Sequence, residues 1–130
     1  MKQIVINALY SIEKVIRNAG YSILISHSSE SFEQEVINAE IFFQRRLDGL
    51  IVAMASDTGS VDHFDKYLNN NIPVFLFDSI QVDFSGVKVM LDNVDAAFVA
   101  TTHLIEQGCK RIVHITGNQS TKIHSDRFKA

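Results

Sequence analysis

The sequence predicts an α/β fold, a parallel β-sheet flanked by helices on both faces. Three observations carry that expectation. Short apolar runs such as "LIVAM" and "VFLF" are continuous rather than alternating, the mark of strands buried on both faces. Stretches with apolar residues at helical spacing separate most of these runs, as crossover helices in a layered α/β sheet require. Only the runs at 73–77 and 87–91 lack a helix between them, and a polar loop, "DSIQVDFSG", joins them instead.

The elements follow in order. Val5, Leu9, Ile12 and Ile16 recur at spacings of four, three and four, one face of a helix, and Gly20 stands where a helix C-terminus needs a left-handed residue. "YSILIS", 21–26, reads as a first strand. Ser31 and Gln34 are spaced as a capping box ahead of a second helix, to which Val36, Ala39, Ile41 and Phe43 contribute apolar surface. "LDGLIVAM" reads as the second strand. "SVDHFDKYLNNN" is a short helix with Val61, Phe64 and Leu68 on one face. "PVFLF" opens on the chain's only proline, at a strand position that tolerates a missing N–H. "VKVML", 87–91, is the fourth strand. "NVDAAFVATTHLIEQG" is a helix closed by Gly108, and "RIVHIT" is a fifth strand. Ser125 is placed to cap one more helix. No internal repeat, linker or low-complexity segment interrupts the pattern.

Composition bounds the function. The chain has 130 residues, 46% hydrophobic and 21% charged, which suits one globular domain. The net charge of −3 and scattered basic residues, paired only at Arg45-Arg46 and Lys110-Arg111, argue against a nucleic-acid surface. A single cysteine, Cys109, cannot form an internal disulfide and fits a reducing compartment. Glu13, Lys14 and Arg17 come too early for a secretory apolar core, and no apolar run approaches the roughly 18 residues of a membrane span. The expected address is cytoplasmic, with no membrane partner.

Catalytic chemistry is not indicated. None of the histidines at 27, 63, 103, 114 and 124 forms a His-x3-His pair, and Cys109 has no histidine at ligand spacing, so no metal site is expected. His103 reads as a packed helix residue. "HSD", 124–126, has the residue types of a catalytic triad, but neighbours in sequence do not make triad geometry. "GNQSTK" lacks the second glycine of a phosphate-binding loop. No enzyme activity and no cofactor are expected.

One residue asks for a function. The apolar run 74–77 stops at Asp78. In an open parallel sheet ligands bind beyond the carboxyl ends of the strands, which makes Asp78 a candidate ligand contact. The alternative is that it caps a turn through its own backbone.

The segments "AGYSILISHSSESFEQEV", "RRLDGLIVA", "NIPVFLFDS", "VMLDNVDAAFVATTHLIEQGCKRIVHITG" and "SDRFKA", in this order and spacing, resemble the lactose/galactose repressor family (LacI/GalR) over essentially the whole chain. The resemblance implies a periplasmic-binding-protein-like type I subdomain, a Rossmann-like three-layer sandwich. It further implies a small-molecule effector, often a sugar or nucleobase and here expected to be a sugar, held in the cleft between two such subdomains, a homodimer, and operator DNA bound only through a helix-turn-helix domain that this chain does not contain. On that pattern residues 1–130 are most of the N-terminal subdomain. The family's first strand would precede the "INALYSIEKV" helix, where Met1 leaves no room, and the second subdomain would follow "RFKA". A periplasmic sugar receptor of a transporter shares the fold and is the alternative.

Carried over residue by residue, the resemblance implies effector contacts at Asp78, Ser79, Leu91, Asp92 and Arg127. Ser79 stands where the family commonly has Arg, which argues against an anionic effector there. Asp92 or Asn93 could instead be the N-cap of the helix that follows, and Arg127 a solvated residue. A dimer interface is expected around Val5, Leu9, Tyr10, Ile23, Ile25 and Phe43. In addition, Ile4, Ile6, Tyr10 and Val15 carry the first helix's apolar surface beyond its main stripe.

Overall fold

The computed structural model describes residues 3–78, 80, 82–117 and 121–130. Ser79 lies outside the described residues.

Helix α1 (Gln3–Asn18) ends as its glycine foretold. Gly20 has φ of +81°, Gly20 N–H donates to Arg17 C=O at 3.0 Å and Tyr21 N–H to Ile16 C=O at 3.1 Å. These two bonds satisfy carbonyls that the last turn would leave bare. Helix α2 (Phe32–Gln44) starts at Ser31, whose Oγ accepts from Gln34 N–H at 3.3 Å. Only half of a capping box forms: Ser31 N–H donates to Ser28 C=O at 3.0 Å, and the Gln34 amide donates forward to Asn38 Oδ1 at 3.0 Å. A 3-10 turn (Asp62–Phe64) leads into α3 (Asp65–Asn69).

Among the described residues three strands make the sheet: β1 (Leu50–Ala53), β2 (Val74–Phe77) and β3 (Val87–Val89), in that spatial order and all parallel. Leu50 lies opposite Val74, and Phe75 opposite Val87. Leu50, Val52, Val74 and Leu76 point to one face and are buried there with Ala39 of α2, Phe64, Tyr67 of α3, and Ile80 and Phe84 from the loop before β3. The Tyr67 hydroxyl donates to Ala39 C=O, and the edge of its ring meets Phe43 at 5.2 Å.

The opposite face differs from the two-sided burial that the apolar runs suggested. Ile51 and Phe75 are exposed, at 44% and 37%. They look across an open cleft toward the Val5, Leu9, Ile12 and Ile16 stripe of α1. Helices therefore lie to both sides of the sheet, but only the α2 and α3 side is close-packed. Phe43 is taken up in that packing, while Tyr10 is exposed at 73%.

Two expected strands are absent from the sheet. Residues 21–26 and 111–116 carry no ladder pairing, and β1 is an edge among the described residues. Both segments have strand-like side chains, yet a strand is completed only by a neighbour's hydrogen bonds. Ile25 is exposed, Ile23 half-buried, and Val113 and Ile115 stand exposed.

Helix α4 (Asn93–Glu106) ends on Gly108 with the same pair of capping bonds as α1, from Gly108 N–H to Ile105 C=O at 2.9 Å and from Cys109 N–H to Leu104 C=O at 3.1 Å. It packs against α5 (Lys122–Lys129), and neither helix has a buried residue. His103 is exposed, not packed. Thr121, not Ser125, holds the cap position of α5, and Ser125 lies inside the helix.

Candidate functional site

The carboxyl ends of β1 and β2 open into a cleft of about 600 Å³. Its walls are apolar along the strands and α1, and turn polar at the strand ends, where Ser28, Glu30, Ser56, Asp78, Thr121 and His124 gather. Four separate chain segments meet there: the turn before α2, the loop after β1, the end of β2 and the start of α5.

The loop after β1 is fixed from below by α2. Glu35 is 5% exposed, and its carboxylate accepts from Ala55 N–H at 2.7 Å and from the Thr58 hydroxyl at 3.2 Å. His63 Nε2 is 3.0 Å from the same carboxylate, in a pair that is closed to solvent. His63 Nδ1 is buried without a hydrogen-bond partner, against the rings of Phe32 and Phe64. Asp57 Oδ1 accepts from Phe32 N–H at 2.7 Å, and Glu30 Oε2 accepts from Ser56 N–H at 3.0 Å. The 55–58 turn is thus bonded to α2 and the residues just before it, so Ser56 is presented to the cleft by a bonded frame rather than by a loose loop.

Backbone strain collects at the same rim. Among the described residues five other than glycine have positive φ. Arg46 and Asn71 are ordinary helix exits. The other three, Ser29 at 53°, Glu30 at 63° and Asp78 at 72°, flank or line the cleft. Holding such residues left-handed costs about 1–2 kcal/mol each. Strain of this kind persists where the surroundings over-determine it, and it clusters at ligand sites. Asp78 is held by its own N–H, which donates to Val89 C=O at 3.2 Å and ties the end of β2 to the end of β3.

The expected site residues divide. Asp78 lines the cleft. Leu91, Asp92 and Arg127 stand outside its described lining, but the fold brings them together. Asp92 is the N-cap of α4, accepting from Asp95 N–H at 2.9 Å. Asn93 donates to Leu91 C=O at 3.2 Å and accepts from Arg127 Nε at 2.8 Å. Arg127 is thereby paired across to α4 rather than merely solvated, and Leu91 is exposed. Glu30, Ser56, Thr121 and His124 were not singled out as contacts. Ser56 had a signal, since it follows an apolar run as Asp78 does. Gly117 permits the approach of His124, because a Cβ there would stand 2.6 Å from Nε2 of its ring.

Among the described residues no group of three His, Cys, Asp or Glu side chains could hold a metal ion, and no helix is long and apolar enough to cross a membrane.

Residues 6–129 match the family described as periplasmic binding proteins and sugar binding domain of LacI family. The ribose operon repressor of Halalkalibacterium halodurans is 30% identical over 119 residues, 92% of this chain and 34% of that protein. The HTH-type transcriptional repressor CytR of Escherichia coli is 30% identical over 109 residues, 82% of this chain and 30% of that protein. Among solved structures, a periplasmic binding protein/LacI transcriptional regulator from Alkaliphilus metalliredigens, complexed with D-xylulofuranose, superposes with a TM-score of 0.73. It shares 27% identity over 95% of this chain and 44% of that one. The chain spans about a third of the length of the curated relatives it matches.

Proposed function

Since the chain belongs to the family of periplasmic binding proteins and LacI-family sugar-binding domains, we propose that it is the effector-sensing and dimerisation module of a bacterial transcriptional regulator. The observation that carries this reading is the cleft at the carboxyl ends of β1 and β2, with a rim of hydroxyl and carboxylate groups around Asp78. Asp78 and Ser56 suit sugar hydroxyls, the carboxylate as acceptor and the serine as donor or acceptor. Leu91, Asp92 and Arg127 are proposed as a second group that reaches the effector from the α4 side, and the family resemblance adds Ser79. Sensing would be cytoplasmic, and operator contact would belong to a helix-turn-helix domain elsewhere in the family's architecture. The curated relatives being repressors favours this over a transporter's receptor.

Dimerisation is the second part of the reading, through α1 and the 21–26 segment. Tyr10 and Ile25 are exposed apolar groups on that surface. A two-fold axis would bury the patch against its own copy. Isothermal titration calorimetry of the chain with a panel of free sugars tests the sensing function. Saturable binding supports it, and heats no larger than dilution with every sugar reject it. Light scattering over a concentration series tests the dimer, which a clean monomer at about 100 µM would reject.

A further inference from the structure

We propose that Glu35 is a positioning residue for effector binding: its buried carboxylate clamps both ends of the 55–58 turn and so fixes where Ser56 stands on the cleft rim. The proposal rests on the sugar-sensing reading above and names what sets the affinity of that site.

Residues 55–58 form a closed turn, with Thr58 N–H donating to Ala55 C=O at 3.2 Å. The two ends are buried, each 5% exposed, while the central residues Ser56 and Asp57 are exposed. Glu35 holds both ends. Its Oε2 accepts from Ala55 N–H at 2.7 Å, and the Thr58 hydroxyl lies 3.2 Å from both carboxylate oxygens. A turn gripped at both ends cannot pivot on α2. Its tip is then tied sideways, Ser56 N–H to Glu30 Oε2 at 3.0 Å and Phe32 N–H to Asp57 Oδ1 at 2.7 Å. Ala55, Ser56 and Glu30 line the cleft, whereas Glu35 and Thr58 stand behind its lining. Glu35 therefore acts on a ligand through the turn.

Stability alone does not call for a carboxylate here. Glu35 sits four residues before Ala39, on the face of α2 that meets the core. An apolar side chain of similar volume often stabilises such a position as well or better, because desolvating a carboxylate offsets much of what its pairings return. An apolar side chain cannot, however, give two polar groups of a turn a fixed direction. His63 secures the carboxylate from another side, with Nε2 3.0 Å from Oε1 and Nδ1 buried without a partner. A proton on Nδ1 would be a buried donor with no acceptor, so the ring carries it on Nε2 and donates to Glu35. Donors from the turn and from the ring together fix the carboxylate's rotation. A ligand hydroxyl then meets a Ser56 already in place, and such preorganisation raises affinity by removing the cost of ordering on binding.

The test is isothermal titration calorimetry of the full chain with D-ribose, D-xylose, D-glucose and D-galactose, carried forward with the tightest binder. Circular dichroism sets a temperature at which each variant is fully folded. Glu35→Ala should weaken binding by about fivefold or more, on the order of one hydrogen bond lost to a ligand hydroxyl. Glu35→Gln keeps an oxygen for Ala55 N–H and an amide for the Thr58 hydroxyl, and should recover all but about twofold of that loss. The loss should also run through Ser56: in a Ser56→Ala background, Glu35→Ala should weaken binding by less than about twofold further. A merely structural role would carry through that background at full size. If Glu35→Ala does not fold, Thr58→Val carries the same expectation, with Thr58→Ser as the conservative partner, because the first keeps the shape and the second the hydroxyl. A folded Glu35→Ala that binds within about twofold of the wild type overturns the proposal and leaves the sensing function standing. A loss of equal size with and without the Ser56 hydroxyl does the same. Binding of none of the four sugars by the wild type overturns both.

Discussion

Replacing Glu35 by alanine should be far more damaging than its place in the sequence, "FEQEV", suggests. The side chain is 5% exposed and accepts from Ala55 N–H, the Thr58 hydroxyl and His63 Nε2. The Thr58 hydroxyl can rotate to another acceptor, but the Ala55 N–H and the His63 ring N–H cannot. Each buried donor left unpaired costs about 1–3 kcal/mol, so two give about 2–6 kcal/mol. The range agrees with the 3–5 kcal/mol typical of breaking a buried pair by deleting one partner. Against a domain stability of about 5–15 kcal/mol, this is about 40% of the total when like ends of the two ranges are compared. Glu35→Gln, which keeps one acceptor oxygen, should cost about 1–2 kcal/mol. His63→Phe should cost under about 1 kcal/mol, because losing the bond to Glu35 is offset by removing the orphaned Nδ1. Phenylalanine would also suit the ring neighbours Phe32, centred 5.5 Å away, and Phe64, at 3.8 Å. Urea titrations followed by circular dichroism give the three values. The reasoning is refuted if Glu35→Ala falls within about 0.5 kcal/mol of the wild type, or if His63→Phe costs more than Glu35→Ala.

Three further outcomes are expected. Burial, with the Glu40 carboxylate adding to it, pushes the Tyr67 hydroxyl up to about 12. A raised folded-state value means that the stability it confers is whole below the unfolded value of about 10 and is lost as pH climbs from there through about 12, amounting to about 2–3 kcal/mol. Tyr67→Phe should flatten that alkaline fall in urea midpoints. Asp78→Gly should fold as well as the wild type while losing sugar affinity, whereas Asp78→Ala, held at φ of 72°, should lose about 1 kcal/mol more. Comparing melting and calorimetry for the pair separates strain from binding. Gly86→Ala would put a Cβ 2.3 Å from the Phe84 ring and 3.0 Å from Val74 C=O, and should destabilise by about 1–3 kcal/mol in thermal melts.

The fold's close-packed half was legible because its signals are local. Apolar runs bounded by Gly49 and Pro73 became β1 and β2, and glycines 20 and 108 ended the helices they were expected to end. The segments 21–26 and 111–116 misled because β-propensity reports side chains suited to a sheet, whereas pairing depends on a neighbour distant in sequence. Asp78 was legible from the abrupt change at a strand end. Glu30 and His124 were not, since nothing in a linear reading places them on one rim. Glu35 was hidden for a related reason: among "EQE" it reads as solvated, and only the 55–58 turn folding onto α2 buries it.

The distribution of burial bears on how such a cleft could report its ligand. Every residue of the main buried cluster lies between Ala39 and Phe84. Neither α4 nor α5 has a buried residue, and α1 meets the sheet across open space. Elements held by so little apolar contact open at low free-energy cost. A ligand seated against Asp78 and Ser56 on the packed half, and against the α5 cap Thr121 and His124 of α5, would add contacts that exist only when the two are aligned. Such a ligand stabilises the aligned state by RT ln(1 + [L]/Kd), about 2.7 kcal/mol at a hundredfold excess over Kd. That is enough to shift the population of a weakly docked helix nearly a hundredfold, but it is small beside the packing of Leu76, Phe64 and Tyr67 in the core. The response to effector should therefore appear in α5 and the cleft rim while the core stays unchanged. Hydrogen exchange with and without a bound sugar reads this directly, as slowed exchange at 121–129 with β2 unaltered. Equal slowing across β2 would mean that the ligand stabilises the whole domain and not the docking of one helix.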